Sequence, residues 1–273
     1  MITTFALHPA ASKHLIAQAV ALLPEVENAF RQGKIFIGAG TGNLAVAQEL
    51  LHIEVDKPEA YVAGVITQQC VCSTAAGERR GPFCIEKGKL VQVDNWLDFI
   101  RSMEAGDIFI KGANALDPEG NVGILMADPT GGTIGNALGI LKAQGIPMIT
   151  PVGREKLIPS CREAEKLMGR CRIGHRFGLK AGYMVVSNST VITEIESIKI
   201  LTGLDAVQVA GGGVGGMEGA VMLAAEYENE EQALYLLGLV KEALRQPSLK
   251  IKHKKCSECT DPCDFMAGVR GEE

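Results

Sequence analysis

Two glycine-rich stretches have the composition of an anion site. Gly38-Ala39-Gly40-Thr41-Gly42 follows the apolar run Lys34–Ile37 and leads into a helical pattern from Asn43. Glycine lets main-chain amides approach an anion, and the positive end of the following helix adds attraction. Gly38, Gly40, Gly42, the Thr41 hydroxyl and Asn43 are the candidate contacts. Gly131-Gly132-Thr133-Ile134-Gly135 repeats the pattern at the head of a second helix and adds Gly131, Gly132 and Thr133. A tight strand–helix turn with nothing bound is the alternative for each.

A third stretch, Lys111-Gly112-Ala113-Asn114 with Asp117-Pro118-Glu119-Gly120, follows the run Asp107–Lys111. Asp117, Lys111 and Asn114 are the candidate catalytic residues there, with Asp117 the acid/base; Gly112 is a candidate ligand contact, and Lys111 could also pair with a phosphate, a carboxylate or Asp117. Asp-Pro-Glu-Gly is equally good turn chemistry. Arg170, Arg172, His175 and Arg176 form a basic cluster. The guanidinium fork suits phosphate, which makes Arg172 and Arg176 candidates, with solvated surface as the alternative. Arg79-Arg80, Arg154 and Lys156 are similar. In the tail, Cys256, Cys259 and Cys263 form C-x2-C-x3-C, a spacing at which thiolates can share one metal. Zinc would need a fourth ligand, His253 or a cysteine of the first domain. An iron–sulfur cluster would draw a cysteine from the group Cys70, Cys72 and Cys84. Cys161 and Cys171 read as small buried hydrophobes.

These residues need elements to position them. Ala10–Leu23, Asn43–Leu51, Asn95–Met103 and Gly131–Ala143 carry helical spacing, while Lys34–Gly38, Tyr61–Thr67, Asp107–Lys111, Gly123–Met126 and Ile146–Thr150 read as strands. Cys84–Glu86 and Lys89–Val93 flank Lys87-Gly88 as a hairpin. The alternation predicts βαβ units and a mostly parallel sheet, a Rossmann-like α/β domain over 1–178. Beyond it, Tyr183–Ser187, Val191–Leu201, Ala206–Ala210, Ala220–Glu226, Glu230–Leu244 and Leu249–His253 run βαββαβ, the order of a ferredoxin-like domain over 179–254. The segment Gly211–Gly216 reads as a hairpin turn. Residues 255–273 form a polar, Cys-rich tail.

At 273 residues, 47 % hydrophobic and 22 % charged, the chain can bury a core without disulfides. A net charge of −5 offers no global field for nucleic acid or anionic lipid, and 5 % aromatics leave few stacking platforms. No run of about 18 apolar residues predicts a membrane span. The first residues lack a basic segment followed by an apolar run, so a cytoplasmic protein with reduced thiols is expected.

Taken together, IFIGAGTGNLAVAQELL (35–51), DIFIKGANALDPEGNVG (107–123) and GGTIGNALGILKAQGIPMITPVGREKL (131–157) resemble one superfamily. It holds the ribose-5-phosphate and methylthioribose-1-phosphate isomerases, the related regulatory initiation-factor subunits, the coenzyme A transferases and the formyltetrahydrofolate cyclo-ligases. The resemblance implies a phosphorylated small metabolite as ligand and a homo-oligomer. It also exposes a departure: the ribose-5-phosphate isomerases carry Asp-Gly-Ala-Asp where this chain has Lys111-Gly112-Ala113-Asn114, the methylthioribose type also needs the second Asp, and Asn has no useful basicity. The expected function is therefore binding of a phosphorylated metabolite, as an isomerase-like enzyme with altered catalytic residues. The alternatives are a non-catalytic sensor, a zinc or iron–sulfur protein with a redox-linked role, or coenzyme A-ester binding or transfer.

Overall fold

The computed structural model of the chain describes residues 1–261, 263 and 264. The protein is mixed α/β. In chain order, β1 (Ile2–Leu7), α1 (Pro9–Ala21), α2 (Pro24–Gln32), β2 (Lys34–Ile37) and α3 (Thr41–Leu51) come first. Two hairpins follow, β3 (Gly64–Thr67) with β4 (Cys70–Ser73) and β5 (Phe83–Glu86) with β6 (Lys89–Val91). Next are α4 (Trp96–Arg101), β7 (Ile108–Ile110), β8 (Ala115–Leu116), β9 (Val122–Met126), α5 (Gly132–Gln144) and β10 (Met148–Pro151). The last elements are α6 (Cys161–Leu167), β11 (Gly182–Val186), β12 (Thr190–Ile192), α7 (Glu194–Thr202), β13 (Ala206–Gly212), β14 (Ala220–Glu226) and α8 (Glu230–Ala243).

The central sheet has the order β12-β10-β7-β2-β5-β6. Its first four strands are parallel, and the β5–β6 hairpin closes the edge antiparallel. The two Ile-Phe-Ile runs explain its middle. They pair in register, Ile35 with Ile108, Phe36 with Phe109 and Ile37 with Ile110. Alternation then sends the four isoleucines to one face and the two phenylalanines to the other. The isoleucines pack under α1, α2 and α3. Phe36 and Phe109 stack at 5.0 Å among residues of α4 and α5. Both faces are thus covered, as a parallel sheet requires.

Local signals set the helix ends. Pro24 opens α2, Thr193 and Glu196 form a reciprocal capping box on α7, and Gly145 and Gly203 end α5 and α7 in the left-handed conformation.

A second sheet, β1-β14-β13, carries the third core with α1, α7 and α8. The glycine-rich stretch after Ala210 joins β13 to β14 as an antiparallel pair, as expected. Other expectations fail here. The strands read as one ferredoxin-like sheet are dealt to different sheets: β11 pairs with β9, β12 joins the central sheet, and residues 249–253 form no strand. The place left for the last strand is taken by β1, which pairs with β14 from Ile2–Glu226 to Leu7–Val221. A six-residue terminal strand carries little signal until its partner is beside it. Among the described residues, no helix is long and apolar enough to cross a membrane.

Leu7 is fully buried in the third core, whereas Ile2 on the same strand is 63 % exposed. Leu7→Ala is expected to cost about 2–5 kcal/mol in urea unfolding, and Ile2→Ala to stay within about 0.5 kcal/mol. Equal losses would contradict this packing.

Candidate functional site

Three parallel strands of the central sheet end side by side, and a cleft of about 780 Å³ opens at their carboxyl ends. Residues after β2 (Gly40–Asn43), β7 (Lys111–Asn114) and β10 (Val152, Gly153) form its floor. Residues 128–134 at the head of α5 form one wall, and the β3–β4 hairpin forms another. This is where open α/β sheets collect ligands.

Asn43 holds the floor together. Its buried side chain donates to the Gly38 carbonyl at 2.8 Å and accepts from the Gly112 amide at 2.7 Å. A Cβ on Gly112 would stand 3.1 Å from Asn43 Oδ1 and 3.2 Å from the Pro151 carbonyl. A side chain there would press on both, so the close approach favours glycine. Gly40 has φ 154° and ψ 155°, a backbone that side chains rarely adopt. The Gly38 and Gly40 amides are used inside the fold, donating to Ile110 and Tyr61 carbonyls at 3.0 and 2.9 Å. The amides of Thr41, Gly42 and Asn43 begin α3, where no side chain caps the helix. They lie outside its hydrogen-bond ladder, at the edge of the cleft.

Lys13, Lys111, Lys156 and Arg79 also line the cleft. Burial, then the charge of Lys156, pulls Lys111 down to about 8. Burial and Lys156 likewise lower Lys13, against the charge of Glu155. Lys156 donates to the Ala113 carbonyl at 2.9 Å. Arg79 holds the Thr74 hydroxyl and carbonyl at 3.0 and 2.7 Å. On the wall, the Asp128 carboxylate accepts from the Thr130 hydroxyl at 2.6 Å and its amide at 2.8 Å. Those bonds, with the Gly132 amide, hold Asp128 below the usual carboxylate range. The second glycine loop therefore already carries a carboxylate of the protein.

The cleft brings together Gly40, Thr41, Gly42, Asn43, Lys111, Gly112, Asn114, Gly131, Gly132 and Thr133. Two of these side chains are already engaged: Asn43 as above, and Asn114, which accepts from the Leu125 amide at 3.0 Å. Asp117, Arg172 and Arg176 lie outside it. Asp117 is buried and accepts from the Cys161 and Asn121 amides, both at 2.9 Å. Burial pushes it up, but these hydrogen bonds prevail and hold it low, as befits a structural anion. Arg172 donates to the Lys166 carbonyl, and Arg176 pairs with Asp261 of the tail at 2.6 Å. Cys161 is buried as expected, but Cys171 is exposed, in an irregular segment that no core covers. Lys13 had no sequence signal, since α1 lies far from every glycine motif.

A small cavity of about 20 Å³ adjoins the cleft and is lined by Cys70, Cys72, His253, Cys256, Cys259 and Cys263. The donor atoms of Cys70, Cys72 and His253 all lie within 4.8 Å of one another, so these three could hold a metal ion. Burial first, then Cys72, Cys263 and Cys256, pushes the Cys70 thiol up to about 11.

No protein-family model, curated protein or solved structure matches this chain.

Behind Gly153 on the cleft floor sits a pair of carboxylates. A Cβ at Gly153 would lie 3.1 Å from Glu194 Oε1 and would collide with Glu155 Oε2. Both oxygens are buried without a hydrogen-bond partner among the described residues. Burial pushes Glu194 above its ordinary 4.5, with the charge of Glu155 adding, although Arg154 donates its amide at 2.9 Å.

Two outcomes follow from this geometry. Asn43→Ala leaves a buried carbonyl and an amide unpaired and should cost about 2–4 kcal/mol, read by chemical denaturation. Because the folded-state value of Glu194 is raised, its contribution is full below pH 4.5 and is lost as pH climbs through the raised value. Stability should therefore fall with rising pH above 4.5, and Glu194→Gln should flatten that fall in unfolding curves taken between about pH 4.5 and 8. An unchanged slope would place the titration elsewhere.

Proposed function

We propose that the cleft binds a small phosphorylated metabolite, its phosphate held by the Thr41–Asn43 amides and by Lys13, Lys111 and Lys156. One observation carries this reading. An uncapped helix start and three lysines line one cleft, and the Asp128 carboxylate on its wall is already engaged by Thr130. The volume lies in the range of pockets that take small ligands. The position of the cleft, at the carboxyl ends of β2, β7 and β10, supports a Rossmann-like description of this part of the chain.

For chemistry, Asp117 is turned away and Asn114 cannot take a proton. Lys111, brought to about 8, remains as the cleft group able to exchange a proton near neutrality. That supports an isomerase-like enzyme with altered residues; a sensor that binds without turnover is the form the protein takes if Lys111 only binds. The adjoining thiol cavity supports a second reading, a metal-linked protein with zinc or an iron–sulfur cluster on Cys256, Cys259 and Cys263 together with the inner donors.

Pyrophosphate serves as the probe. At 100 times its Kd it should stabilise the protein by about 2.7 kcal/mol in thermal shift. Lys111→Met should weaken it at least about tenfold, the loss of one buried charge-assisted contact. Wild-type affinity should fall as pH rises through about 8, where Lys111 loses its charge, and the variant should lack that dependence. A variant that binds as the wild type does at every pH would refute the assignment.

A further inference from the structure

The β3–β4 hairpin is a weak element in an important place. Two four-residue strands that form a sheet of their own are marginal in water. Their turn sets Gln68 and Gln69 at φ 50° and 67°, left-handed conformations without glycine. Ile66 near the tip is 76 % exposed, so no large core is buried there. Yet Val65, Ile66, Val71 and Cys72 form a wall of the cleft. The body holds the hairpin through a bridge between Val71 and Gly178, and the tail holds it where the Lys254 amide donates to the Ser73 carbonyl at 2.8 Å.

We propose that Cys70 and Cys72, His253 and one thiol of the Cys256–Cys263 run bind a single divalent ion of the zinc class, and that this ion clasps the β3–β4 hairpin to the C-terminal segment. Cys70 and Cys72 stand two residues apart on β4, so both thiols leave the same face, and both are buried. The histidine is presented in the required form. Its Nδ1 lies 2.6 Å from the Lys254 carbonyl, which can only accept, so Nδ1 carries the proton and Nε2 keeps its lone pair for a metal. Three donors within 4.8 Å fit one tetrahedral ion, whose bonds are about 2.0–2.3 Å long. The small cavity that these side chains share suits one ion. Cys259 turns its thiol to the Asp261 carbonyl at 3.3 Å, which leaves Cys256 or Cys263 to complete the set. Arg176 paired with Asp261 steadies the same segment. Cys72 lines both cavities, so the ion stands directly behind the cleft wall.

The proposal takes from the functional reading only that the thiol cavity holds metal, and it is independent of what fills the cleft. The test uses the full chain purified without chelator. Metal analysis should find one zinc per chain, and cobalt in its place should give intense sulfur-to-cobalt absorption. Cys70→Ser and Cys72→Ser should each lower zinc affinity at least about 100-fold, the upper end of what even outer-shell losses bring. Cys259→Ser should keep the metal. Where a serine variant fails to fold, the wild type still decides: stripping zinc should speed amide hydrogen exchange over residues 64–73 at least tenfold, and added zinc should restore it. A protein that takes up no metal sinks both the clasp and the metal-linked reading. A brown protein with several irons and sulfide sinks the single ion and leaves the metal-linked reading standing. Zinc retained in both serine variants, or hairpin exchange blind to zinc, refutes the clasp.

Discussion

A single buried amide governs the geometry on which the cleft depends. Asn43 spans the ends of β2 and β7, giving a hydrogen to the Gly38 carbonyl and taking one from the Gly112 amide. Those two strands lie in register through their Ile-Phe-Ile runs, so the distance between their ends is fixed by the sheet. The Gly38 carbonyl, which is buried, would otherwise be left without this partner. The bridge therefore sets where α3 starts, and with it where the free amides of its first turn point.

The charges around this floor are layered. Lysines face the cleft, and Glu155 and Glu194 sit behind Gly153. Gathering Lys13, Lys111 and Lys156 costs desolvation and mutual repulsion, visible in the lowered values of Lys13 and Lys111. Glu155 offsets part of that cost at Lys13. An anion in the cleft, as proposed, would offset more. The same logic separates Asp117 from this chemistry: it is engaged by the Cys161 amide at the head of α6 and by the amide and side chain of Asn121, so it acts as an anchor for a loop.

Around the rim, stability comes from fastenings instead of core. The central sheet carries two cores and the β1-β14-β13 sheet a third, but the β3–β4 hairpin belongs to none of them. Its attachment is made of a bridge to Gly178, a tail hydrogen bond and a nest of thiols. An element held this way can be ordered or released without unfolding the body. A metal on those thiols, as proposed, would fix that wall of the cleft.

Much of the central sheet was legible in the chain. Ile-Phe-Ile twice, each followed by a glycine or lysine-glycine loop, implies paired parallel strands with their loops on one edge. The Lys87-Gly88 hairpin was equally readable, because its determinants are a few neighbouring residues. Long-range partners were not. The N-terminal strand found β14 across more than two hundred residues, and β11 and β12 left the arrangement that their sequence order suggested. Asp117, Arg172 and Arg176 have the right chemistry for a site, and only the packing turned them toward Cys161, Lys166 and Asp261. Lys13 joined the cleft, and Cys70 and Cys72 met His253, through contacts that local spacing does not encode. Residue types decide what chemistry is available; burial and the closing of distant chain segments decide which of it meets in one place.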